Sequence, residues 1–105
     1  MRKRWEKIKN QVLGKKFDLS VVFAGSAMMK KLNEVYRKKK GAAEVLSFPL
    51  SKTMGEIFIN KKAARPDYLF IHSLLHLKGF KHGKKMEAEE QKIIKKIWPA
   101  ISSQE

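Results

Sequence analysis

The sequence predicts an α+β fold, a small mixed β-sheet packed with helices in a single domain over residues 1–105. Two kinds of pattern predict it. Short β-rich runs occur at Phe17–Phe23, Val45–Leu50 and Gly55–Asn60. Segments with apolar residues three and four apart lie between and around them. A length of 105 residues with 43% apolar content is enough for one compact core.

The elements follow in order. Residues 3–13 place Trp5, Ile8, Val12 and Leu13 on one helical face, with basic residues elsewhere, and Gly14 stops the helix. Phe17–Phe23 alternates and reads as a strand, which Ala24-Gly25 breaks. Ser26 is a good N-cap for a helix running to about Lys39, with Met28, Leu32, Val35 and Tyr36 as its expected buried stripe. Lys38-Lys39-Lys40-Gly41 is a basic loop, and a charge run of that kind is by itself a solvated face. Val45–Leu50 is a second strand, and Pro49 marks it as an edge or an end. Residues 51–54 turn into a third strand, Gly55–Asn60. Residues 61–65 lead to a helix that Pro66 opens at a first-turn position. A last helix is expected over about Met86–Trp98. Ile93, Ile94, Ile97 and Trp98 would face inward, and Glu87, Glu89 and Glu90 would lie near its positive N-terminal end.

Composition narrows the function. The absence of cysteine excludes disulfides and thiolate metal sites, and suits a reducing compartment. No apolar run approaches the ~18 residues of a membrane span. The charged start, Met-Arg-Lys-Arg-Trp-Glu, is not followed by a signal core. The expectation is a soluble cytoplasmic protein with no membrane partner. The net charge of +14, from 24 Lys+Arg against 10 Asp+Glu, points to a polyanionic partner, nucleic acid foremost. A lysine-rich surface serving only solubility is the bland alternative.

The three histidines of the chain, His72, His76 and His82, stand as H-S-L-L-H-L-K-G-F-K-H, an H-x3-H-x5-H pattern. His72 and His76, four apart on a helix, share one face. A helical histidine six residues further on would point away. Gly79 ends the helix and lets the chain bring His82 back. The surrounding Tyr68–Leu77 segment is apolar nearly all round, so the helix is expected to be buried. Three imidazoles are the ligand number of a catalytic zinc with one open position. The expectation is therefore one Zn2+ per chain, with another divalent transition metal as the alternative.

The same skeleton makes the helix metzincin-like. Metzincin proteases carry a glutamate after the first histidine as general base, and here Ser73 stands in its place. The metal geometry is kept and the protease base is gone.

The motif H-S-L-L-H-L-K-G-F-K-H resembles the YbeY endoribonuclease signature, H-G-x-L-H-L-x-G-Y-D-H. A second block agrees. Leu32-Asn-Glu-Val-Tyr-Arg-Lys-Lys-Lys-Gly-Ala-Ala-Glu-Val-Leu-Ser-Phe-Pro49 is similar to the family's L-N-x-x-Y-R-x-K-D-x-x-T-D-V-L-S-F-P, and Gly55-Glu56-Ile57 to its G-D-I strand. The resemblance implies a metal-dependent endoribonuclease acting on ribosomal RNA in ribosome maturation and quality control. It implies His72, His76 and His82 as metal ligands and Arg37 as the functional arginine. Lys38, Lys39 and Lys40 join Arg37 as candidate RNA contacts, and the ribosomal subunit or ribosomal proteins are the further partners. The chain departs from the family pattern at Lys40, Glu44 and Lys81, where the family has aspartate. It also has Ala43 for threonine and Ser73 for glycine. Two alternatives stay open: a non-catalytic RNA- or ribosome-binding factor with a structural metal, and a minimal metalloprotease.

Overall fold

A computed structural model describes residues 3–102, with side chains through residue 96. The order is α1 (Lys3–Leu13), β1 (Asp18–Ala24), α2 (Ser26–Arg37), β2 (Val45–Ser51), β3 (Met54–Asn60), α3 (Pro66–Lys78) and α4 (Lys84–Ser102). None of the described helices is long and apolar enough to cross a membrane. The three strands form one mixed sheet in the order β1-β3-β2. β1 runs parallel to β3, with Val21 opposite Ile57. β2 runs antiparallel to β3, with Ser47 opposite Ile57. The predicted α+β class and mixed sheet are both observed. β2 is an edge strand, and its register slips between Pro49 and Ser51. Proline can donate no ladder hydrogen bond, so this is where it is tolerated.

Period-two alternation sends β3 side chains to two cores. Ile57 and Ile59 join Trp5, Ile8, Phe70, Ile71, Leu74 and Met86 in the larger core, with α1 and α3. Phe58 packs against a smaller one, Ala24, Met29 and Leu46, beneath α2. A Cβ on Gly55 would stand 3.1 Å from the Leu77 side chain and 3.2 Å from Phe17, so the missing side chain lets α3 close on the sheet. α1 docks through Trp5. Its indole stacks on Phe70 at 4.3 Å and donates its N–H to Asp67, in the first turn of α3. Lys9, one of the basic residues of α1, is buried. Its ammonium donates to the carbonyls of Gly14, Lys15 and Phe17 at 3.0–3.3 Å, which satisfies the charge and pins the turn into β1.

Three expectations need correction. The buried positions of α2 are Met29 and Asn33, whereas Met28, Val35 and Tyr36 are exposed and Leu32 is half-buried. The helix is turned so that Asn33 can hold the following loop. The Asn33 carbonyl accepts from Lys38 and Lys39, and its Nδ2 donates to the Gly41 carbonyl at 2.9 Å. A polar residue with this task breaks an apolar-inside reading. The N-cap position is Gly25, not Ser26, and no side chain caps the helix. α4 begins at Lys84, where Glu87 N–H donates to Gly83, and runs on to Ser102. Of its four expected inward residues, Ile93 and Ile94 pack partly on the larger core. The side chains of Ile97 and Trp98 lie outside the described residues.

Candidate metal centre and nucleic-acid cleft

α3 runs from Pro66 at its first position to Lys78, and Gly79 follows in the left-handed conformation with φ 113°. Gly79 N–H donates to the His76 carbonyl and Phe80 N–H to the Leu75 carbonyl, both at 3.0 Å. This is the Schellman closure that glycine permits. It reverses the chain and returns His82. The three imidazoles converge, with one nitrogen of each within 4.8 Å of the others.

The tautomers follow from their partners. His76 Nδ1 lies 3.1 Å from the Phe80 carbonyl, and His72 Nδ1 lies 2.7 Å from Glu90 Oε1. Both partners accept, so each Nδ1 donates, and in the neutral ring that leaves the lone pair on Nε2. Those two Nε2 atoms stand 3.1 Å apart. Tetrahedral ligation with bonds of ~2.0–2.1 Å would hold ligand nitrogens roughly 3.3 Å apart. His82 is exposed, and its ring makes no hydrogen bond among the described residues. The donor set fits a divalent transition metal, with two of its three imidazoles already oriented.

Glu90 was not singled out by sequence reasoning, which read it as one of three acids near a helix start. It is 4% exposed. Its Oε2 accepts from the Tyr68 hydroxyl at 3.0 Å, so both oxygens are engaged. A signal existed: Glu90 lies four residues after Met86 and three and four before Ile93 and Ile94, on the buried face of α4. A carboxylate in an apolar stripe needs partners. Burial first, then the hydrogen bond to Glu90, holds the Tyr68 phenol above its ordinary 10.0, so it remains a donor. Burial, with His72 beside it, holds His76 below its ordinary 6.5, which favours the neutral, ligating form.

The histidines open onto a cleft of about 550 Å³. One side is α3, with His72, Ser73, His76 and Leu77, joined by His82. The other is β2, from Val45 to Pro49, with Tyr36 and Arg37 at the end of α2. Arg37 thus faces the same space as the histidines, although 35 residues of sequence separate it from His72. Among the described residues, none lining the cleft is acidic. Glu44 is exposed and outside the lining. Lys38, Lys39 and Lys40 are exposed on the loop that continues from Arg37, and they too lie outside the lining. The Asn33 anchor holds that loop, with Lys38 left-handed at φ 54°.

Comparison with known proteins points to one family. A family model described as Endoribonuclease YbeY matches residues 1–67, a span that contains Arg37 and ends before the histidines. The chain is 33% identical to the Endoribonuclease YbeY of Thermodesulfovibrio yellowstonii over 107 residues, covering 77% of this chain and 67% of that protein. It is also 33% identical to the protein of the same name from Nautilia profundicola, covering 76% and 72%. A solution structure of a Thermotoga maritima protein superposes with a TM-score of 0.56 at 23% identity, covering 96% of this chain and 81% of that one. At that identity the superposition speaks for the fold.

Proposed function

Because the chain belongs to the YbeY endoribonuclease family, we propose that it is a metal-dependent endoribonuclease cutting single-stranded RNA in the cleft between Arg37 and the three histidines. Ribosomal RNA is the substrate, and the ribosomal subunit or its proteins are the partners. Residues 1–105 act as one cytoplasmic domain. The observation that supports the reading is the meeting of three converging imidazoles and an arginine in one cleft whose lining, among the described residues, holds no acid.

His72, His76 and His82 hold one divalent transition metal through their free ring nitrogens, zinc being the expected ion. Such an ion supplies Lewis acidity toward a phosphoryl oxygen and toward water. The protein does the rest. Arg37, always charged and forked, binds the non-bridging oxygens of the scissile phosphate and stabilises the charge that grows there. Glu90 and the Phe80 carbonyl keep His72 and His76 in the ligating tautomer. The lining favours RNA over peptide. A glutamate-based peptidase needs a carboxylate in the cleft, and the buried carboxylate here sits on the far side of His72 with both oxygens engaged.

The test uses protein purified without a histidine tag. Metal analysis should find about one transition-metal ion per chain, as three imidazole ligands imply. Fragments of ribosomal RNA should be cleaved in a chelator-sensitive way. Arg37→Ala should lower the cleavage rate by about 10²–10³-fold, the size expected on losing one donor to a developing anion. Metal-loaded wild type that binds RNA without cutting it above background would instead establish the binding-factor reading.

A further inference from the structure

Tyr36 is an aromatic residue that the fold does not bury. The residue is 66% exposed, yet it lines the same cleft as Arg37 and the histidines. It is not loose. The ring meets Phe48 at 5.4 Å and 66°, and Phe48 meets Phe58 at 5.8 Å and 77°. Phe48 and Phe58 pack on the smaller core, so a ladder of perpendicular rings ties Tyr36 to the body of the protein. One such contact cannot cover both faces of a ring, and most of Tyr36 is left toward solvent.

Perpendicular rings, an open aromatic surface and a neighbouring cation suit one class of occupant. An unpaired nucleobase offers a π-face to an aromatic side chain, and the phosphate next to it offers charge to a guanidinium. Arg37 is the next residue and lines the same cleft, and among the described residues no acidic side chain lines it to repel the phosphate. An apolar partner would leave the guanidinium and the imidazoles without counterpart. We infer that Tyr36 is a base-stacking subsite, on which the base of a nucleotide flanking the scissile phosphate lies while Arg37 holds the phosphate. This rests on the reading that the cleft takes single-stranded RNA.

The experiment measures binding of a short single-stranded RNA, and of the same oligomer carrying one abasic ribose at each position in turn. Wild type, Tyr36→Phe, Tyr36→Leu and Tyr36→Ala are compared as metal-loaded 105-residue chains. At one position the abasic change should weaken wild-type binding by about five- to a hundredfold. Tyr36→Ala and Tyr36→Leu should lose a similar factor on the intact oligomer and lose no more at that position. Tyr36→Phe, which keeps the ring, should match wild type. The inference is overturned if Tyr36→Leu binds the intact oligomer as wild type does. It is overturned too if the variants remain as sensitive to the abasic change as wild type. Should Tyr36→Ala fail to fold, the leucine variant and the wild-type abasic series decide. Wild type that binds none of the oligomers would sink the RNA reading itself, and this inference with it.

Discussion

His72 and His76 each use Nδ1 on a protein acceptor, and that leaves both Nε2 atoms 3.1 Å apart. The acceptors differ in kind. Phe80 offers a neutral carbonyl, while Glu90 offers a buried carboxylate that Tyr68 also holds. A carboxylate on the outer nitrogen raises the basicity of the imidazole and fixes its ring, and losing such a partner costs about 10–100-fold in metal affinity. Glu90→Ala should therefore weaken zinc binding by about that factor in a competition titration. Glu90→Gln can still accept from Nδ1 through its amide oxygen, so its loss should be smaller. Equal affinity in wild type and Glu90→Ala would mean that His72 is held by packing alone. The convergence of the three histidines was legible in the sequence because H-x3-H-x5-H has a helical logic. Glu90 was legible only as a carboxylate in an apolar stripe; its pairing with His72, 18 residues away, was not, because spacing within α4 does not say which residue of α3 that stripe meets.

At the scale of elements, one turn does two tasks. Gly79 at φ 113° returns the chain so that His82 reaches the other histidines, and the same turn presents the Phe80 carbonyl to His76. A Cβ there would meet nothing within 4 Å, so space is not the constraint. The backbone conformation is, since L-residues pay about 1–2 kcal/mol in the left-handed region. Gly79→Ala should lower stability by about that amount, read by denaturant unfolding of the metal-free protein. Zinc affinity should fall as well, because two of the three imidazoles depend on this turn. A variant that loses stability but binds zinc as wild type does would show that the site does not need this geometry. The stop at Gly79 and the opening at Pro66 were readable as chemistry of single residues. The buried face of α2 was not. Its apolar row, Met28, Leu32, Val35 and Tyr36, looked like a core stripe, while the structure buries Met29 and the loop-holding Asn33. Part of that row is left for the cleft, where Tyr36 stands.

At the scale of the molecule, the cleft joins the end of α2, the edge strand β2 and the histidine helix. Periodicity predicts each element but not their mutual placement, so the meeting of Arg37 with the histidines rested on resemblance until the fold brought them together. Charge is the other property of the whole. With a net +14, the protein attracts any polyanion, and affinity alone cannot distinguish a built RNA path from a general field. The salt dependence can. For single-stranded nucleic acid the slope of log K against log salt is about −0.7 for each phosphate neutralised. Lys38, Lys39 and Lys40 leave the cleft directly after Arg37, on a loop that Asn33 ties down, and on the proposed reading they would follow the backbone of a strand held at Arg37. Replacing all three by glutamine should make the slope shallower by at least about 0.7, with the loss of affinity largest at low salt. An unchanged slope, with affinity lowered equally at all salt concentrations or not at all, would return the loop to a solvated face.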